Sequence, residues 1–399
     1  MKKLAVFLLA VGLLAILLVT ACAGGTAPAP TTTAAPAPAT SPAPAPPPTT
    51  SAAPAPTTAK PAPTSTAPPP ATTTAPPAPA KVYNLKIQSG WPRGDMSMEA
   101  LSIFADAAAK RSNGQLKIQV FAAPEIVGMF EVPDAVKAGT IDMEMSSGGI
   151  WSGIIPVGDI EFGLPYGYRI PEAQTFMDKL SIIRKFFYEG GFAQLLRDEY
   201  AKQGVYWLDL HTYGPVPFIC ATKPIQTLSD IKGLRIRTDS LWMTWQNAMG
   251  MNGQDISGDE AYMALKNGTV NAHVWDMSVY TGMGFEEVAP YWIRGMEDDH
   301  AIGHIVVNMK IWQSLPPDLQ QALAGAAEDY YKGEAAIYDK EYQKVLDKVK
   351  SGVVKEVQLD KDVIALAEKT GYAIWDEQVP RSPASAKAIE IIKKWRGIK

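Results

Sequence analysis

Two arginines stand in an otherwise apolar, strand-like run, "IKGLRIRTDS" (231–240), at Arg235 and Arg237. A guanidinium is planar, always charged and forks two donors onto a carboxylate, so an arginine at a strand end is a candidate anion clamp. Strict alternation would put both on one face of the strand, and the ordinary fate of either is a solvated surface pair. Other residues invite other chemistries. His300 and His304 have a spacing that would hold zinc on one helix face, but their flanks read as strand, where the rings would not meet. Cys220 lies in the apolar run "PVPFICAT", as a buried thiol rather than a nucleophile would. A secreted hydrolase would want a nucleophile elbow or a metal motif. Here "GIWSG" (149–153) has its serine one position late, and neither a phosphate-binding loop nor H-E-x-x-H occurs.

The elements that must position these residues alternate in type. "YNLKIQSGW" (83–91) alternates apolar and polar residues as a half-buried strand does. "SMEALSIFADAAAKRSNG" (97–114) has helical spacing, with Ser97 as the expected N-cap and Gly114 as the stop. Strands are predicted at 115–122, 204–214, 269–277 and 302–312, and a helix followed by a strand over 130–147. Further helices are predicted at 241–251 and 258–268. A long one over 315–350, with prolines only at its start, should lie across more than one lobe. This rhythm argues for an α/β architecture with parallel strands.

Composition divides the chain. Lys2 and Lys3 precede an apolar run, Leu4 to Val19, too short for a confident membrane span, as in a secretory signal. From Thr26 to Ala80 the chain holds only Ala, Pro, Thr and Ser apart from Lys60, so nothing there can be buried and an extended spacer is expected. Setting aside Lys2, Lys3 and Lys60 leaves 34 basic against 41 acidic residues in the body, a net of −7. That balance argues against a nucleic-acid partner. With Cys22 outside the body, Cys220 has no internal disulfide partner.

Five segments, in this order, resemble the substrate-binding proteins of tripartite ATP-independent periplasmic (TRAP) transporters. They are "AVKAGTIDM" (135–143), "FGLPYGY" (162–168), "PIQTLSDIKGLRIRT" (224–238), "EAYMALKNGTVNA" (260–272) and "NMKIWQSLPPDLQQAL" (308–323). "VTAC" (19–22) likewise resembles the bacterial lipobox, in which the cysteine is lipidated. The resemblance implies a two-lobed α/β fold with mixed sheets in each lobe and a long connecting helix. It implies a lipoprotein signal at 1–21, a tether at 22–81, lobe I at 82–210 plus 300–330, and lobe II at 211–299 plus 331–399. The expected function is extracytoplasmic capture of a small organic acid, delivered to a large and a small membrane subunit by a monomer or dimer anchored at Cys22. A sensing or scavenging lipoprotein of the same fold is the alternative, and an enzyme is not expected.

The resemblance also implies site residues. The position matching the family's carboxylate-binding arginine is Arg237. Loops after strands carry Trp91 and Arg93 in "SGWPRG", Gly149 in "SSGGIW", and Trp275 and Asp276 in "HVWDM". The keto-acid and lactate-binding branch is the most similar, and there a glutamate beside the tryptophan helps to hold a cation. Val274 replaces that glutamate here, so a bridging calcium or sodium ion would need Asp276, Glu297 or Asp298 instead. Trp91, Tyr213, Trp242 and Trp275 would make an aromatic pocket, favouring a small keto, hydroxy or aromatic acid over a sugar acid. Trp245, at helical spacing from Trp242, reads as either cleft wall or core.

Overall fold

The structure, a computed structural model, describes residues 81–398. The signal-like start, Cys22 and the proline-rich spacer lie outside the described residues. The body contains two mixed sheets. The first has the order β2-β1-β3-β10-β4, from β1 (Tyr83–Ser89), β2 (Leu116–Phe121), β3 (Met143–Ser147), β4 (Val205–Thr212) and β10 (Ile302–Asn308). The second has the order β11-β9-β5-β8-β6-β7, from β5 (Phe218–Ala221), β6 (Arg235–Arg237), β7 (Asn252–Gln254), β8 (Ala272–Trp275), β9 (Tyr291–Arg294) and β11 (Lys355–Gln358). Strand β1 runs parallel to β2 and β3, whereas β10 is antiparallel to both its neighbours. In the second sheet β6 is parallel to β7 and β8, and β5 is antiparallel to β8 and β9. The chain passes between the sheets after β4 and returns after β9, so each lobe is built from separated segments.

The third crossing is the helix Pro317–Lys350. At 34 residues it is about 51 Å long, and it packs on helix Ser97–Arg111 beside the first sheet and on helix Ser278–Thr281 beside the second. Its apolar stripe, including Leu323, Tyr330, Ile337 and Val345, is buried along the whole length. Ser97 is the first residue of its helix rather than the cap, because its amide and hydroxyl both turn back to Oδ1 of Asp95. That small departure matters below, since it fixes Asp95.

Strand β10 is buried at every residue, as a central strand covered on both faces must be. Its one charged residue is accommodated by a closed ionic cluster. His304 Nδ1 lies 3.1 Å from Oε1 of Glu161, and its Nε2 lies 3.5 Å from Oε1 of Glu144. The two carboxylates accept indole N–H groups from Trp151 (2.7 Å) and Trp207 (2.6 Å), and Tyr200 donates to Glu161 at 2.7 Å. Burial alone would lower the pKa of His304, but Glu161 and then Glu144 outweigh it and push it up to about 9. His300 takes a different partner, the Thr212 hydroxyl at 2.7 Å, and burial holds it down to about 3. Among the described residues no group of three metal-ligating side chains forms, and the two histidines turn to separate partners.

The imidazolium of His304 stabilises the fold fully below the ordinary histidine pKa and ceases to do so as pH rises through about 9. Resistance to urea should therefore fall by about 3 kcal/mol between roughly pH 6.5 and pH 9 or a little above, and His304→Gln should flatten that slope. An equal slope in the variant would show that the cluster does not govern it.

Candidate functional site

Strand β6 holds Arg235 and Arg237 in register with Asn252 and Gln254 of β7, and Arg237 also faces His273 of β8. The two arginines part company. Arg235 is exposed and donates to Gly268 O at 2.8 Å. Arg237, the last residue of the strand, is 1% exposed. Its Nε donates to Ile256 O at 2.7 Å and its Nη1 to Val274 O at 3.3 Å, with Asp239 Oδ2 at 3.1 Å from Nη1. The guanidinium carbon sits 4.8 Å from the ring centroid of Trp275. The remaining nitrogen, Nη2, is buried without a hydrogen-bond partner among the described residues. Burial pulls this arginine below its usual pKa, and Asp239 and Asp255 oppose the shift.

Arg237 lines a cleft of about 390 Å³, open solvent at its mouth included, to which segments beside both sheets contribute. From the first lobe come Trp91 and Asp95, in the loop after β1, and Phe162. Tyr213 and Val216 come from the crossing after β4, and Arg237, Asp239, Trp242, Val274, Trp275 and Asp276 from the second lobe. Trp91 meets Tyr213 and Trp275 edge to face, each at 5.3 Å between ring centroids. Behind this wall runs a hydrogen-bonded chain. Trp91 Nε1 donates to the Tyr213 hydroxyl (2.9 Å), which lies 2.9 Å from His211 Nε2, and His211 Nδ1 is 3.3 Å from Glu334 of the long helix.

Two carboxylates face the cleft from opposite lobes. Asp95 Oδ1 accepts from Ser97 and its Oδ2 accepts Trp275 Nε1 at 2.9 Å, a bond that joins the lobes. Both hydrogen bonds to Asp276 arrive at Oδ1, from the amide (2.8 Å) and the hydroxyl of Ser278. Burial, and then the neighbouring Asp95, push Asp276 well above the usual carboxylate range, and burial raises Asp95 as well.

Of the residues expected at the site, Arg237, Trp91, Tyr213, Trp275 and Asp276 are brought together. Trp242 joins them, while Trp245 is core, its indole donating to Ala367 O at 2.9 Å. Arg93 does not reach the cleft: its guanidinium forks onto Glu125 at 2.7 and 2.6 Å on the outer surface. Gly149 is buried against Ser240 rather than on the cleft wall. Glu297 pairs with Arg294, and Asp298 accepts the Tyr168 amide at 2.9 Å, so neither acid reaches the cleft. Asp95, Asp239, Phe162 and Val216 were not anticipated; Asp239 alone had a local signal, two residues beyond Arg237 in extended chain.

The lobes meet through backbone as well as side chains. A Cβ on Gly94 would stand 2.9 Å from Gly282 O, and one on Gly282 would collide with Gly94 O. Neither collision can be relieved by turning a side chain.

Comparison with known proteins places this geometry in context. The profile of the family described as bacterial extracellular solute-binding protein, family 7, matches residues 87–381. A monocarboxylate 2-oxoacid-binding periplasmic protein of a Nostoc strain is 25% identical over 78% of this chain and 83% of its own. A TRAP periplasmic solute-binding protein of Pseudoalteromonas atlantica, solved with bound sodium and pyruvate, superposes with a TM-score of 0.70 at 24% identity, covering 79% of this chain and 94% of its own. One from Bordetella bronchiseptica, with copurified calcium and picolinate, gives 0.70 at 22% identity, covering 80% and 93%. The cleft residues here do not fit a hard cation of the kind those two structures hold. Calcium takes six to eight oxygens. This wall offers three carboxylates, of which Asp239 is paired with Arg237 and Asp95 and Asp276 already have their Oδ1 atoms engaged, and the Val274 carbonyl is turned to Arg237.

Gly282→Ala should leave each lobe folded, with far-ultraviolet circular dichroism unchanged, yet hold the lobes apart. Small-angle scattering should then report a larger radius of gyration than wild type. Equal radii would mean that the Gly94–Gly282 seam does not limit approach.

Proposed function

The chain belongs to the family 7 bacterial extracellular solute-binding proteins, of the TRAP transporter type, and we propose that its cleft captures a small carboxylic acid whose carboxylate is clamped by Arg237. The observation that carries the reading is the buried, unpartnered Nη2. A buried charged donor without an acceptor is destabilising by about 1–3 kcal/mol or more, and a ligand carboxylate would satisfy it with a short charge-assisted bond. The indole Nε1 of Trp242, also buried and unpartnered on the same wall, offers a second donor. The family binds solutes for transport rather than transforming them. Cys220 accords with that, since burial pushes its thiol far above the range in which it would act as a nucleophile.

In this reading the acid enters between the lobes, which close until Trp275 meets Asp95 and Gly94 meets Gly282. Closure follows only from the ligand's greater affinity for the closed form. The hinge would comprise the crossings after β4 and β9 together with the long helix. The helix Pro383–Arg396 packs on Phe192–Ala201 beside the first sheet, which would give the C-terminus to both lobes rather than to lobe II alone. The closed form would then dock on the large and small membrane subunits. The cleft has room for acids of a few carbon atoms, the size class of the 2-oxoacid and pyruvate ligands named for the Nostoc and Pseudoalteromonas proteins.

The test is a binding screen of mono- and dicarboxylates against the purified chain and its Arg237→Ala variant. At least one small acid should bind the wild type, and the variant should bind it about 30-fold to several thousand-fold more weakly, the equivalent of about 2–5 kcal/mol. Equal affinity in the variant would remove Arg237 from the site. Lipidation at Cys22 and export on a proline-rich tether remain part of the proposal. Cys22→Ala should shift the chain from the membrane to the soluble fraction, and retention on the membrane would refute the anchor.

A further inference from the structure

The charges lining the cleft do not balance around a simple anion. Among the described residues Arg237 is the only lysine or arginine on its wall, and Asp239 already lies against it. Asp95 and Asp276 are then two surplus carboxylates, both about 3% exposed, brought from different lobes to one cavity. The charged groups around them do not compensate. Glu341 of the long helix adds to the repulsion at Asp276, and Lys344 is spent on Glu341 at 2.6 Å. His211 is the smallest of the influences that lower Asp95, and it is itself held between the Tyr213 hydroxyl and Glu334. Burial and mutual repulsion already push both acids toward protonation, and a carboxylate ligand on Arg237 would add to that repulsion unless a positive charge came with it.

We infer that the cleft takes a zwitterion, an acid carrying its own ammonium group, with its carboxylate on Arg237 and its ammonium between Asp95 and Asp276 beside the ring of Trp91. The inference rests on the clamp proposed above and names the ligand class that the same site selects. An ammonium needs three acceptors and tolerates acceptors that already receive a hydrogen bond, which this pair provides, Oδ2 of Asp276 being left without a donor. An aromatic ring adds attraction for a cation once water is displaced. The face of Trp275 carries the Arg237 guanidinium, which leaves Trp91 to the ligand. The separation of charge in the ligand mirrors the cleft, basic at the end of β6 and acidic where the loops after β1 and β8 meet.

The experiment compares isosteric trios on the purified full-length chain in the presence of chelator, by calorimetry. They are L-alanine against L-lactate and pyruvate, and L-leucine against its 2-hydroxy and 2-oxo counterparts. The amino acid of at least one trio should bind about tenfold or more tightly than both its counterparts. Asp276→Asn, which keeps the side chain's shape and removes the charge, should reverse that order in favour of the hydroxy or oxo acid. Wild-type preference for an oxo or hydroxy acid overturns the inference while leaving the Arg237 clamp standing. Binding of those acids only when calcium or sodium replaces the chelator does the same and assigns the positive charge to a metal. If no member of any trio binds, the inference and the carboxylate reading fall together.

Discussion

A guanidinium buried to the last few per cent of its surface must be held by its surroundings, and Arg237 is held on every side but one. Two backbone carbonyls and Asp239 take Nε and Nη1, the Trp275 ring lies beneath, and Nη2 is left without a partner among the described residues. The local architecture follows from that requirement. Strand β6 is only three residues long, so that its last side chain ends at the cleft rather than in the sheet. The loop beyond β7 supplies the Ile256 carbonyl, and β8 supplies both a carbonyl and the ring. A rigid, desolvated charge of this kind discriminates well, because an anion that meets it exchanges an unsatisfied donor for a strong bond without reorganising the wall.

The second constraint is that the wall is shared. Asp95 belongs to the first lobe and Trp275 to the second, and the bond between them joins the two. The backbone approach of Gly94 and Gly282 sets how near they come. The long helix ties the lobes together, and through Glu334 it reaches the Tyr213–Trp91 pair at the cleft floor. The cluster around His304 ties the central strand of the first sheet to Trp151, Tyr200 and Trp207 beneath this apparatus.

Much of the fold was legible in the sequence because it depends on local periodicity. The strands at β1, β2, β4 and β10 and the long helix lie within a few residues of their expected positions. The short strands β7, β9 and β11 carry too few residues for alternation to show. The helices Lys361–Gln378 and Pro383–Arg396 passed unread although Ser382-Pro383 is a helix start. At the site, Arg235 and Arg237 stood out together as charges in an apolar strand, and only the resemblance to the family's carboxylate-binding arginine separated Arg237 from its neighbour. Asp95 did not, since its meaning comes from Asp276 and Trp275, brought to it from another lobe. Arg93, equally well placed by sequence spacing, found Glu125 on the outer surface, and nothing in its neighbours' identity encodes that choice.

The most direct test of the central claim is a crystal structure of the protein with a bound small carboxylic acid, read at one distance. The account predicts a carboxylate oxygen about 2.7–2.9 Å from Nη2 of Arg237, with the Nε bond to Ile256 O retained. A carboxylate bound elsewhere in the cleft, with Nη2 left to a water molecule, would contradict it.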